Sequence, residues 1–286
     1  MNELRQQFNK EIFLLKLSVT NRCTMACRYC FAVKGEDDMP QDVALASVDF
    51  LLRSPGEEKV LMIYGGEPFL CFGLVEKIVL NAIGSAKALN KKLAICIGSN
   101  ATVIGDEQLE FLRKHDIRLA ISIDGRQEFH DQVRLTADGE SRYQDVMANA
   151  PRILKVLKPE NVCVLMGVLP SSTEYIYENL RYLVQLGFSS FNLEPVFTKE
   201  YSWHQKDVDQ FKTNVARFLE YIEEGIPQRR FVFFNRTNRE LNNQIISRLH
   251  AKACPFVTNL VVSVAGDMAF SCFLINQKDR DRYVVG

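Results

Sequence analysis

Residues 13–31 read FLLKLSV and then TNRCTMACRYCF, seven mostly apolar residues followed by a polar loop that carries Cys23, Cys27 and Cys30. A short apolar run bounded by polar residues is the pattern of a buried strand. A first strand is therefore expected over 13–19, with the three cysteines on the loop that leaves its C-terminal end. Outward from there the pattern repeats. Segment 41–52 has helical periodicity, 60–64 is the next apolar run, and it too ends in polar and glycine residues, Gly65-Gly66-Glu67.

Carried along the chain, the alternation predicts six strands, at 13–19, 60–64, 93–98, 119–123, 162–168 and 190–194. Helices are expected between them at 41–52, 74–89, 107–115, 143–157 and 175–186. Repeated strand-helix units are the signature of an α/β fold with a parallel sheet, here expected as a partial (β/α)6 TIM-like barrel over 1–195. Five of the six strands end in polar or glycine-containing sequence: Thr20-Asn21-Arg22, Gly65-Gly66-Glu67, Ser99-Asn100, Asp124-Gly125 and Glu194-Pro195. Parallel α/β folds place ligands at the carboxyl ends of their strands, so these tips are the expected site, although ordinary turns would account for some of them equally well. Ser99, Asn100, Val168 and Glu194 are candidates by that placement alone.

After Pro195 the repeat stops. A long helix is expected at 206–224 and a shorter one at 241–250, giving a helical connector over 196–253. Two short strands at 260–264 and 268–272, joined by Ala265-Gly266-Asp267, carry a hairpin signal and form a small C-terminal β-hairpin module within 254–286.

The 35 basic and 35 acidic residues cancel, which gives no global electrostatic reason to bind nucleic acid or an anionic membrane. Residues 1–11, MNELRQQFNKE, are too polar for a signal peptide, and no apolar run reaches the roughly 18 residues of a membrane span. A cytoplasmic protein is expected, with no nucleic-acid or membrane partner. Eight cysteines in that setting point to metal ligands, reactive thiols or buried apolar residues before disulfides. Cys96 and Cys163 lie inside apolar runs and are expected to be buried small hydrophobes.

Cys23, Cys27 and Cys30 differ, falling within eight residues of a polar loop with C-x3-C-x2-C spacing. Soft thiolates select iron–sulfur clusters, zinc or copper(I). Three cysteines hold three irons of a 4Fe-4S cube and leave the fourth open to a small ligand. An electron-transfer cluster wants a fourth cysteine and a structural zinc a fourth Cys or His. The nearest later cysteine is Cys71 and the first histidine His115, so zinc requires a distant ligand.

A C-x3-C-x2-C loop directly after the first strand resembles the radical S-adenosylmethionine superfamily. The resemblance implies a [4Fe-4S] cluster on Cys23, Cys27 and Cys30, whose open iron chelates the amino and carboxylate groups of S-adenosylmethionine. One-electron cleavage to a 5′-deoxyadenosyl radical would follow, then hydrogen abstraction from a substrate. Tyr64-Gly65-Gly66-Glu67-Pro68 is similar to the family's GGE-type loop: glycines allow close approach, and exposed carbonyls there accept from the methionyl ammonium. Tyr29, between the last two cysteines, is placed beside the adenine. Ser122-Ile123-Asp124-Gly125, His130-Asp131 and Arg134 resemble the S-I-D-G…H-D…R pattern of the branch with a SPASM or twitch extension. In that branch a serine and an arginine bind the methionyl carboxylate, which points to Ser122 and Arg134, with Arg142 as the competing arginine. Asp124 and His130 are as well suited to holding the loop as to touching ligand. Asp124 and Glu194 are candidates for a general base by position only.

Cys254, Gly266 and Cys272 are similar to the opening of the SPASM/twitch module, whose cysteines bind auxiliary clusters. The spacing is one residue longer than the family's, and the alternative is a hairpin with two inert cysteines. Members of the branch mostly modify peptides or proteins, so the expected partners are a peptide or small-protein substrate and a reductant such as flavodoxin or ferredoxin. With the first strand near residue 13 no peptide-recognition domain is expected ahead of the core, and a separate recognition protein would take its place. A small-molecule substrate stays open, as does a non-catalytic iron–sulfur carrier or scaffold, although a carrier has no use for the methionine-binding tip. His115, His204 and His250, and the tyrosines at 175, 177 and 182, are expected to serve packing or surface roles.

Overall fold

The computed structural model describes residues 11–32, 34–225, 233–234 and 259–269. The chain forms two compact units: one contains the residues up to Thr24, Phe31–Ser99 and the segment from His250, and the other contains Met25–Cys30 and Asn100–Leu249.

In the first unit β1 (Leu14–Ser18) leads to α1 (Gln41–Arg53), β2 (Glu58–Tyr64), a 3-10 turn (Pro68–Cys71), α2 (Phe72–Ala88) and β3 (Lys92–Ser99). β2 lies between β1 and β3, all parallel. Burial alternates along each strand. Leu15, Leu17, Leu61, Ile63, Ile95 and Ile97 are buried on one face with Val48, Leu51 and Leu52 of α1 and Val75, Ile78 and Val79 of α2. Each such side chain contributes about 1.5–3 kcal/mol over its exposed state. Lys59 is the exception on that face of β2. It is buried, and its ammonium donates to Ile12 O at 2.7 Å, Ser54 Oγ at 2.7 Å and Pro55 O at 2.5 Å.

The second unit contains α3 (Asp106–Lys114), β4 (Arg118–Ser122), a single turn α4 (Gln127–His130), α5 (Tyr143–Val156), β5 (Val162–Val168), α6 (Ile176–Gln185), β6 (Ser190–Pro195), α7 (Gln205–Gly225) and β7 (Phe233–Phe234). Its strands pair in parallel in the order β4-β5-β6-β7. All six strands and five helices expected before Pro195 are present, their ends within about two residues of expectation. β7 falls in what was expected to be a helical connector; it belongs to the apolar run FVFF at 231–234.

The C-terminal hairpin is also present, as β8 (Asn259–Val262) antiparallel to β9 (Met268–Ala269). Gly266 turns it at φ +94°. β8 also pairs in parallel with β1 and extends the first unit's sheet. The expected helix at 241–250, and Cys254 and Cys272, lie outside the described residues.

Two expectations need correction. Pro68–Ala88, with a mean hydropathy of 1.6, is long and apolar enough to cross a membrane by length and composition. Interspersed Glu76 and Lys77 hid that stretch from a search for uninterrupted apolar runs, and the helix uses Val75, Ile78, Val79, Ala82 and Ala86 as core. Cys96 and Cys163 are half-buried, on the more open faces of β3 and β5; among the described residues the buried cysteine is Cys71.

Candidate cluster and cosubstrate site

In the first unit the start of the cysteine loop is laced to the tip of β2. Gly66 N–H donates to Thr20 O at 2.7 Å and Glu67 N–H to Arg22 O at 2.8 Å. Gly65 has φ +144°; a Cβ there would meet Thr20 O at 2.5 Å, and one on Gly66 would meet Arg22 O at 1.9 Å. Both glycines are therefore required by the loop backbone passing over them. The Arg22 guanidinium grips Asp38 through Nε at 2.9 Å and Nη2 at 2.6 Å, and Nη2 also donates to Leu70 O at 3.1 Å. Thr20 Oγ1 donates to the same carboxylate at 2.6 Å. With both partners about one third exposed, this pair adds at most about 1 kcal/mol and acts mainly by fixing the loop's departure. Glu67 is fully buried; its Oε1 accepts from Phe69 N–H at 3.2 Å and from Ser99 O–H at 2.9 Å, joining the tips of β2 and β3.

In the second unit the rest of the loop is laced to residues 133–135. Ala26 N–H donates to Leu135 O at 2.7 Å and Arg28 N–H to Val133 O at 2.9 Å, while Cys30 N–H closes a turn onto Cys27 O at 3.0 Å. Beside this ladder lies a cluster centred on Asp124. Its Oδ2 accepts from Tyr29 O–H at 2.6 Å and Arg134 Nε at 2.8 Å, and its Oδ1 from Gly167 N–H at 2.8 Å. Arg134 and Asp124 are both buried. The guanidinium also lies over the Tyr29 ring, 5.2 Å from its centre, and places Nη1 4.0 Å from Cys27 Sγ.

Burial raises the Tyr29 hydroxyl well above its ordinary range; Arg134 opposes that and Asp124 adds to it. The Arg134 guanidinium loses solvation by burial, but Asp124 more than offsets this and holds its pKa above the usual value. His130 is fully buried, accepts Asp124 N–H at Nδ1 (3.5 Å) and meets Tyr143 edge-on. Burial first and Arg134 second lower its pKa to about 4, so the ring is neutral near pH 7.

Asn100 is buried and its Oδ1 accepts from Thr102 N–H and O–H at 3.0 and 2.7 Å. Ser122 ends β4 half-buried. Val168 is fully buried in the core, while its neighbour Gly167, on the more open face of β5, reaches Tyr29 and Asp124. Glu194 is exposed and accepts from Asn192 on its own strand. Gly167 was missed, and the signal for it was a glycine inside the strand VCVLMGV, where close backbone approach is a common cause.

The cysteine loop carries three half-buried thiols, none in a disulfide. That donor set is soft and fits an iron–sulfur cube. Among the described residues no three His, Cys, Asp or Glu side chains stand close enough to hold a single metal ion; a cube asks only for one thiolate per iron. Burial pushes the Cys71 thiol up to about 12.

Residues 17–183 match the Radical SAM superfamily. Uncharacterized protein MJ0907 of Methanocaldococcus jannaschii is 30% identical over 231 residues, 77% of this chain and 78% of that protein. The Serine-type anaerobic sulfatase-maturating enzyme of Bacteroides thetaiotaomicron is 28% identical over 49% of this chain, and the GTP 3′,8-cyclase of Clostridium perfringens 30% over 44%. The matches span only 36% and 38% of those two relatives. The solved structure of native anSMEcpe with bound AdoMet and Kp18Cys peptide superimposes with a TM-score of 0.77, at 19% identity over 97% of this chain and 77% of that one. The fold is accordingly the α/β fold of radical SAM enzymes, the expected partial TIM-type barrel. The chain belongs to the radical SAM superfamily, and it is an enzyme of that superfamily whose cofactors are a [4Fe-4S] cluster and S-adenosylmethionine.

Proposed function

We propose that the protein modifies a peptide or small protein by abstracting hydrogen from it. The observation that carries this reading is the extent of the likeness to anSMEcpe solved with AdoMet and a peptide, 97% of the chain. The S-I-D-G…H-D…R pattern from Ser122 to Arg134 points the same way. When bound, the cluster and S-adenosylmethionine supply the 5′-deoxyadenosyl radical, since the cofactor carries the hard chemistry. The chain's share is to hold and orient these groups and keep water away.

In this reading Cys23, Cys27 and Cys30 hold the cluster, and Gly65, Gly66, Glu67, Ser99 and Asn100 form the methionyl-amine side. Tyr29 lies beside the adenine, and Ser122 and Arg134 take the carboxylate, the guanidinium having donors beyond the one given to Asp124. Val168 acts through its strand rather than its buried side chain. Asp124, engaged by three donors, holds Tyr29 and Arg134; Asp124 and exposed Glu194 stay the two candidates for a base. We also carry forward the division into a core over 1–195, a connector over 196–253 and a SPASM/twitch-like module over 254–286, with Cys254 and Cys272 offering ligands to a second cluster. A flavodoxin or ferredoxin would supply electrons.

The second reading, a small-molecule substrate, draws on the GTP 3′,8-cyclase relative. Anaerobic reactions with S-adenosylmethionine and dithionite, run in parallel with a synthetic cysteine- or serine-containing peptide and with GTP, separate the two. The peptide reading predicts a mass change in the peptide and none in GTP. A GTP product with unchanged peptide would contradict it.

A further inference from the structure

We infer that Arg134, clamped by Asp124, is an electrostatic partner of Cys27 and raises the reduction potential of the cluster that Cys27 holds. This rests on Cys27 being a cluster ligand, as proposed above.

Three observations place the guanidinium there. The backbone bonds from Ala26 to Leu135 and from Arg28 to Val133 bracket the pair, so Cys27 sits opposite Arg134 although 107 positions separate them. The side chain has little freedom: Nε is held by Asp124 Oδ2 at 2.8 Å, its plane lies over Tyr29, and it is buried. Asp124 is itself held from two further sides, by Tyr29 O–H and Gly167 N–H. One further donor of the fork, Nη1, lies 4.0 Å from Cys27 Sγ, the long end of an N–H···S contact.

A cation fixed beside a ligating thiolate stabilises the more negative, reduced cluster. Hydrogen bonds to cluster sulfurs and local charge are among the terms that set such potentials, and a buried charge acts through a lower dielectric than one in water. Asp124 works one step removed, as a positioning residue: without it nothing on this side holds Nε, and the guanidinium could turn away from Cys27.

The test is a dithionite redox titration of the anaerobically reconstituted protein, followed by electron paramagnetic resonance and run without S-adenosylmethionine so that any carboxylate-binding role of Arg134 is silent. Arg134→Gln is expected to lower the reduced-to-oxidised ratio at least tenfold at the wild-type midpoint, a negative shift of about 59 mV for one electron. Arg134→Lys, which keeps the charge but not the fork, is expected between wild type and Gln, and it stands in for Gln if that variant does not hold iron. Equal midpoints at equal iron content, or a positive shift, would overturn the inference. A wild-type protein that takes up no cluster would instead overturn the ligand reading on which it rests.

Discussion

A Cβ on Gly66 would stand 1.9 Å from the carbonyl oxygen of Arg22. The two residues belong to different strand tips, and the close approach is what allows Gly66 and Glu67 to donate to Thr20 and Arg22. Gly66→Ala must push the cysteine loop away. The expected outcome is a loss of about 1–3 kcal/mol in stability, the range for local backbone strain, with iron per chain after reconstitution falling below half of wild type. Iron retention at the wild-type level would show that the loop yields easily.

Gly167 meets the Tyr29 hydroxyl in the same manner: an added Cβ would lie 2.7 Å from Tyr29 Oη and 3.2 Å from Asp124 Oδ1. Here the obstacle is the end of a side chain, so Gly167→Ala is expected to fold and to displace Tyr29. If Tyr29 lines the adenine, S-adenosylmethionine affinity falls about tenfold, or roughly 1.4 kcal/mol, with iron content unchanged. Equilibrium binding to the reconstituted protein measures this.

Lys59 donates to two main-chain carbonyls and Ser54 Oγ from a buried position. Lys59→Met keeps the length and the apolar stem but strands those acceptors. A buried polar group left unpaired costs about 1–3 kcal/mol, and chemical denaturation should show a loss in that range.

His130 gives the fold a pH dependence. Its native pKa, about 4, is below the ordinary 6.5, so on acidification the unfolded chain takes up the proton first. Stability is complete above pH 6.5 and is lost as pH falls from 6.5 toward 4, by about 1.4 kcal/mol per unit at most. In His130→Gln the slope of stability against pH over 6.5–5 should flatten. An unchanged slope would assign the effect to other groups.

The first 195 residues were legible because each strand there is a short apolar run and each helix has its own period, so hydrophobic pattern alone marks them. The cysteine spacing was legible because metal chemistry needs those residues close in sequence. What escaped were relationships between distant segments. Nothing local in Asp124 announces that Tyr29, Arg134 and Gly167 will all donate to it, and which of Gly167 and Val168 lies on the buried face of β5 is set by strand parity. The parallel pairing of β8 with β1 joins residues some 245 positions apart, which no sequence period encodes. At the tip of β2 the backbone of Thr20 and Arg22 passes within 1.9–2.5 Å of where a Cβ on Gly65 or Gly66 would stand, a packing relationship between distant segments that the glycine pair alone does not announce.

In the proposed site Cys23, Cys27 and Cys30 hold a cluster that acts on S-adenosylmethionine. The most direct measurement is 5′-deoxyadenosine released when the anaerobically reconstituted protein is given S-adenosylmethionine and dithionite. Product is predicted from the wild-type protein and none from the variant with all three cysteines changed to Ala. An intact cluster in the wild type that releases no 5′-deoxyadenosine would contradict it.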